Sequence, residues 1–368
     1  MRKTGMIEIP PPPVHYVQPL MLGPLRLETR FTLAPLAGYT NYPFRRSIRE
    51  IGGVGLCTTD LVNARAILEQ SKKTLELLVT GPDDRPLSVQ IFGANPVEMA
   101  AAARWLEDYG ATVIDINMGC PVRKVVKTGG GSAMLCDTSG ATVRLVETVV
   151  KATRLPVTVK MRLGWDDTSW SAPDFAREFE KVGVAAITIH GRTRAQGFTG
   201  RVSHEGIRAV VEAVERIPIF GNGDVNSISD AAKMIAETGC QGIALGRGAL
   251  ANPWIFQQLQ RWVCSGDPGP RASYTDRLEF MTRHLERLIE WKGNEKAGCA
   301  NFRKVAAWYG KALRMSKSDK HRLTMLASLA EFQEVIQRLR ETGPPPGWSE
   351  WDALAAEVAV PAGPISHW

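Results

Sequence analysis

No two cysteines in this sequence are spaced as CxxC; the six (Cys57, Cys120, Cys136, Cys240, Cys264, Cys299) are scattered, and there are only six histidines. A zinc site or a disulfide framework is therefore not expected, no metal ligands are assigned, and most of these thiols should pack as small hydrophobes. No apolar run approaches the roughly 20 residues that a membrane span needs, and the start, MRKTGMIEIPPPP, has no apolar signal core. A cytoplasmic protein without a membrane partner is the expectation. No GxGxxG follows the first apolar run and no P-loop occurs, which argues against a doubly wound dinucleotide fold and a nucleoside triphosphate. Acids are outnumbered, 38 Asp and Glu against 45 Lys and Arg, and the net charge of +7 favours a polyanionic partner weakly.

What is present is a rhythm. Short apolar runs, FTLAP (31–35), LCTT (56–59), LSVQIF (87–92), VIDIN (113–117), VTVK (157–160), AITIH (186–190), PIFGN (218–222) and GIALG (242–246), alternate with longer stretches. Helical patterns fall at 96–109, 139–153, 173–182, 204–216 and 227–238. Eight strands buried on both faces and alternating with helices predict an α/β fold, a closed (β/α)8 TIM barrel. Beyond Trp254 the rhythm stops. Three helices are predicted at 274–291, 300–313 and 321–340, a small C-terminal all-helical domain. The expected organisation is an extended Pro-rich leader (1–19), a barrel (20–258), a helical domain (259–342) and a tail (343–368).

The strand ends carry the chemistry. Their last residues include Gln90, Asn117, Lys160, His190, Asn222-Gly223-Asp224 and Gly246-Arg247. In a barrel these ends meet on one face, where active sites are built. The turns GNGD (221–224) and GRG (246–248) follow the last two strands, where barrels frequently bind phosphate, and glycine lets backbone approach an anion. The run VIDINMGCPVRKVVKTGGGSAML (113–135) sends a strand into a Gly-Cys-Pro corner beside Arg123, Lys124 and Lys127. Those cations should lower the Cys120 pKa, and the phosphates of a polyanionic partner would restore the thiol by neutralising them.

Between Cys299 and Arg322 stand seven basic residues, including Arg303, Lys304, Lys311 and Arg314, against one acid, Asp319. Phe302, Trp308 and Tyr309 are interleaved. Uncompensated charge of this kind reads as a surface for a phosphate backbone.

The strings APLAGYTNYPFR (34–45), QIFG (90–93), DINMGCPVRKVVK (115–127), VTVKMRLGW (157–165), ITIHGRTRAQGFTG (187–200), GNGD (221–224) and GRGALANPWIF (246–256) carry a resemblance. The chain resembles the tRNA-dihydrouridine synthases, and among them the bacterial B type (NifR3-like). The resemblance implies an FMN-dependent barrel followed by a tRNA-binding helical domain, with NADPH as reductant of the 5,6 double bond of selected uridines. It makes Cys120 the proton donor. Pro35, Leu36 and Ala37 would pack on the flavin, Gln90 and Lys160 contact its ring, and His190 lie on it. Asn222, Gly223, Asp224, Gly246 and Arg247 would hold its phosphate end, and Asn117 would bond the target uracil. Two places depart from the pattern: Gly129-Gly130-Gly131, expected to let the loop close over the uridine, and Thr59-Asp60-Leu61 where Glu is more usual.

Reduction of uracil needs a hydride at C6 and a proton at C5, and a thiol protonated near neutral pH suits the second task. The base must leave its stack, which makes Arg123, Lys124 and Lys127 expected phosphate contacts. No stable protein partner is expected. Three other readings stay open: a dihydroorotate-dehydrogenase-like flavoenzyme, an aldolase-type barrel using Lys160 as a Schiff base, and a non-catalytic RNA-binding protein.

Overall fold

The computed structural model describes residues 9–349; the first eight residues of the leader and the tail beyond 349 lie outside the described residues. All eight predicted strands form: β1 (Phe31–Leu33), β2 (Leu56–Thr58), β3 (Leu87–Phe92), β4 (Val113–Met118), β5 (Val157–Arg162), β6 (Ala186–His190), β7 (Ile219–Asn222) and β8 (Gly242–Leu245). Each pairs in parallel with its neighbours, and β8 returns to β1, Ile243 opposite Phe31, so the sheet closes. A two-residue strand, Val62–Asn63, flanks β3.

Period two explains the burial on both faces. Ile114, Ile116 and Met118 of β4, like Val157, Val159 and Met161 of β5, join the large apolar core between sheet and helices. The opposite parity faces the barrel axis and is graded. At the floor are Leu56, Val113, Ala186 and Phe220, packed on Leu20, Leu22 and Leu27. Above them, Thr32, Thr58, Ser88, Asp115, Thr158 and Thr188 line a small cavity with Lys160.

The floor comes from a feature the sequence reading did not contain. Leu20–Leu22 and Leu25–Leu27 form an antiparallel hairpin, Leu20 opposite Leu27, that closes the amino-terminal end of the barrel. Tyr16, inside the expected leader, is buried and donates its hydroxyl to the Cys240 carbonyl at 2.6 Å.

The five predicted barrel helices appear as Pro96–Tyr109, Ala141–Ala152, Ala172–Lys181, His204–Val211 and Ile228–Thr238. Six further α-helices among the described residues were not predicted: Tyr42–Ile51, Ala64–Leu68, Lys72–Leu78, Arg123–Val126, Arg247–Ala251 and Ile255–Ser265. The last runs through residue 259, the expected start of the helical domain, and buries Phe256, Leu259 and Trp262.

The C-terminal helices are Tyr274–Lys292, Glu295–Ala312, Lys317–Thr324 and Leu329–Thr342. The single helix predicted over 321–340 is two. Ser328 turns extended and accepts the Glu331 N–H, an N-cap that starts a new helix. Phe302, Trp308 and Tyr309, interleaved in sequence with the basic residues, are buried in the core, Phe302 against Phe332. Helix Tyr42–Ile51 joins the two regions. Arg287 donates to Ser47 Oγ at 2.8 Å and pairs with Glu50 at 2.7 Å, while fully buried Phe44 and Ile48 contribute about 1.5–3 kcal/mol each.

Candidate active site

The axis-facing residues above the hydroxyl layer are Gln90, Asn117, Lys160, His190 and Asn222, the strand ends expected to meet. They are linked. Lys160 donates to Asn222 Oδ1 at 3.0 Å, and Asn222 donates to the Ala244 carbonyl at 2.7 Å. Asn117 donates to Gln90 Oε1 at 2.7 Å, and its own Oδ1 accepts the Cys120 N–H at 2.9 Å. An Asn at the last inward position of β4 thus folds the chain into the Gly-Cys-Pro corner.

Behind the corner sits Gly131, at φ +61. A Cβ there would lie 2.7 Å from the Cys120 carbonyl oxygen and 2.8 Å from Val125 Cγ1. Gly130 lies close to the Gly93 backbone in the same way. The triple glycine therefore lets the 3-10 helix Gly131–Cys136 press on the corner, and the Ser132 N–H donates to the Cys120 carbonyl at 3.0 Å.

The thiol corrects the expectation drawn from its sequence neighbours. Arg123 and Lys124, on the short helix Arg123–Val126, and Lys127 after it are all exposed, and none acts on Cys120. Burial instead raises the Cys120 pKa, against smaller opposing pulls from the Val122 backbone and the Arg162 guanidinium. The thiol is protonated without any help from RNA phosphates.

The cations that matter come from strand parity. Arg162 shares the inward face of β5 with Lys160. It donates to the carbonyls of Gly119 at 2.9 Å, Thr193 at 2.9 Å and Gly197 at 2.7 Å. Arg192, two residues beyond His190, is buried and chelates Asp224 at 2.9 and 2.5 Å. Arg247 also pairs with Asp224, at 3.2 Å, and lies over the Phe198 ring, as does Arg162. Burial, then Arg162, lowers the Lys160 pKa to about 8, and burial, then Arg192, lowers that of Arg162 to about 10. Burial and four surrounding cations hold His190 well below its usual range, so it is neutral. Asp115 and Asp224 are the acids in contact with this group, so its chemistry suits an anionic ligand.

The glycine turns have their own reasons. Gly223 sits at φ +118, where a Cβ would meet Val202 at 2.5 Å and His190 at 2.9 Å. At Gly246 a Cβ would touch Leu36 at 3.3 Å. The Asp224 carboxylate organises two arginines. Pro35, Leu36 and Ala37 are half-buried at the same mouth, on a loop whose Gly38 N–H and Thr40 hydroxyl both donate to buried Asp60, at 3.0 and 2.9 Å. Sequence reasoning named none of Asp60, Arg162, Arg192 or Phe198 as site residues. The shared parity of Lys160 with Arg162, and of His190 with Arg192, was the signal available.

In the helical region, Arg303, Lys304 and Lys311 stand on helix Glu295–Ala312 and Arg314 follows it. Arg303 donates to the Leu326 carbonyl at 2.7 Å and Arg314 to the Gly347 carbonyl at 2.9 Å. Among the described residues there is no group of His, Cys, Asp or Glu fit to hold a metal, and no helix is long and apolar enough to cross a membrane.

A parallel barrel whose mouth gathers a buried thiol, three amides, an ammonium and three guanidiniums defines a TIM-barrel enzyme with a cationic site. Residues 32–342 match the dihydrouridine synthase (Dus) family, and the chain belongs to it. The tRNA-dihydrouridine synthase B of Pseudomonas aeruginosa is 36% identical over 321 residues, 87% of this chain and 92% of that protein. A probable tRNA-dihydrouridine synthase of Rickettsia conorii is 37% identical over 318 residues, 86% of this chain and 95% of its own. Among solved structures, histamine dehydrogenase from Rhizobium sp. 4-9 is similar in fold, with a TM-score of 0.56 at 12% identity, covering 89% of this chain and 64% of that one. The 6-hydroxypseudooxynicotine amine oxidase of Pseudomonas geniculata N1 gives 0.51 at 15% identity, covering 73% and 52%.

Proposed function

We propose that this protein reduces selected uridines of tRNA to 5,6-dihydrouridine, with FMN as prosthetic group and NADPH as reductant. The barrel (20–258) carries the chemistry and the helices of 259–342 hold the RNA. Support comes first from one observation: a cysteine at a barrel mouth, kept protonated by its own burial, beside an asparagine fixed on the same strand end. The names of the relatives point to the same substrate.

The residues present fit FMN by their donor chemistry. Lys160, Arg162, Arg192 and Arg247 converge with Asp224 as their exposed counter-charge, which leaves positive charge for a phosphate and for an electron-rich ring. Lys160, Gln90 and His190 would meet the ring, with Pro35, Leu36 and Ala37 packed on it. Asn222, Gly223, Gly246 and Arg247 would meet its phosphate end, with Asp224 holding Arg247 in place. When bound and reduced, FMN supplies a hydride equivalent to C6 of the uracil.

The remaining tasks fall to the chain. Cys120 Sγ delivers a proton to C5, and general acid catalysis of this kind is worth about 10²–10⁴-fold. Asn117 Nδ2 gives one hydrogen to Gln90 and keeps the other for the base. Arg123, Lys124 and Lys127, exposed beside the corner, meet the phosphates flanking the extruded nucleotide. Arg303, Lys304, Lys311 and Arg314 add backbone contacts from the helical domain.

The test is to delete the gene in its host and map dihydrouridine across the tRNAs by mass spectrometry. At least one dihydrouridine position should vanish, return with the wild-type gene and stay absent with Cys120→Ala. Full retention of every dihydrouridine in the deletion strain would refute the assignment.

A further inference from the structure

Strand β4 sends three side chains to the barrel axis in turn: Val113 to the floor, Asn117 to the mouth, and Asp115 between them. Asp115 has no part in the chemistry above, and a buried carboxylate needs a reason to be there. It is 5% exposed and accepts two hydrogen bonds, from Thr158 Oγ1 at 2.6 Å and from Gln90 Nε2 at 2.7 Å.

The second bond begins a chain. With its Nε2 turned to Asp115, Gln90 presents Oε1 to Asn117, which donates Nδ2 at 2.7 Å. Asn117 must then present Oδ1 to the corner, where it accepts the N–H of Gly119 at 3.2 Å and of Cys120 at 2.9 Å. An amide side chain can face either way, and a chain of two amides has two senses. Here both ends are one-sided. A carboxylate only accepts, a backbone N–H only donates, and one sense satisfies both.

We propose that Asp115 is a positioning residue for Cys120: its carboxylate fixes the sense of the Gln90–Asn117 pair and, through it, the conformation of the Gly119–Cys120 corner. The corner matters to function only on the reading that Cys120 is the proton donor, but the coupling itself is a property of the folded chain. Parity supports it as well. Asp115 stands opposite Thr158 and beside Gln90 in the ladder register, so three neighbouring strands contribute to one layer.

Two substitutions separate hydrogen-bond sense from charge and bulk. Asp115→Asn can still accept from Gln90 through Oδ1 while its Nδ2 donates to the Thr158 hydroxyl, so the sense survives. Asp115→Leu fills the space and accepts nothing. The full-length protein as purified is compared by hydrogen exchange of the 115–122 segment and by the pH profile of Cys120 alkylation with iodoacetamide. Asp115→Asn should stay within about twofold of wild type, and Asp115→Leu should exchange and alkylate about tenfold faster. If Asp115→Leu does not fold, Gln90→Met breaks the same chain with Asp115 in place and should loosen the corner equally.

A wild-type corner in a folded Asp115→Leu or Gln90→Met protein overturns the proposal. So does an Asp115→Asn protein as loosened as Asp115→Leu, which would make the charge responsible. These readouts need no turnover, so a failure here is distinct from a failure to reduce tRNA.

Discussion

The guanidinium of Arg162 donates through Nε to the carbonyl of Gly119, at 2.9 Å, one residue before Cys120. One side chain thereby ties β5 to the corner after β4 and, through Thr193 and Gly197, to the loop after β6. Arg162→Met leaves three carbonyls without this donor and should cost about 2–4 kcal/mol of stability. It also removes the cation that pulls the Cys120 pKa down, so that pKa should rise further. Thermal denaturation and the pH profile of alkylation check the two effects.

Lys160 makes the site pH-sensitive on the alkaline side. Its pKa is about 8 in the folded chain against an ordinary 10.5, lowered first by burial and then by Arg162. The unfolded chain therefore holds more protons between these values, and stability of the ligand-free protein should rise with pH across that window. Affinity for FMN should move the opposite way, weakening by up to about tenfold per pH unit above 8. Flavin fluorescence titrations and melting curves from pH 7 to 10 measure both.

Gly131→Ala probes the seat of the corner. The new methyl would meet the Cys120 carbonyl at 2.7 Å in a left-handed conformation. A loss of about 1–3 kcal/mol is expected from the backbone alone. Dihydrouridine formation should fall more than tRNA binding does, as measured by turnover and by filter binding on the same preparation.

Reversal of exposed charge tests the proposed RNA surface. Lys304 and Lys317 are both exposed on the C-terminal helices. Lys304→Glu with Lys317→Glu should weaken tRNA binding and reduce the salt slope by about two phosphate contacts. FMN content should not change.

The eight barrel strands were legible because both faces of each are buried, so each reads as a compact apolar run between amphipathic stretches. The hairpin at Leu20–Leu27 was not, since three-residue strands of leucine carry no β-branched signal. The helix at 321–340 broke at a cap, Ser328, that periodicity overrides by eye. Gln90, Asn117, Lys160, His190 and Asn222 were readable as polar residues ending apolar runs. Arg162 and Arg192 lie one inward step further on, where a charge looks like the start of a solvated loop. The cations of 123–127 misled for the opposite reason. Neighbours in sequence, they are carried outward by a short helix, while the guanidinium that reaches the thiol belongs to the next strand.

The leucine hairpin below the barrel also bears on kinetic order. Among the described residues, Leu20, Leu22 and Leu27 seat on Phe220 and Val113 and close the amino-terminal end of the barrel, which leaves the strand-end mouth as the way in. On the proposed function, a nicotinamide and an extruded uracil that both need the face of one cofactor would share that mouth. Reductant should leave before RNA enters, and initial-rate plots at several fixed tRNA concentrations should be parallel lines rather than converging ones.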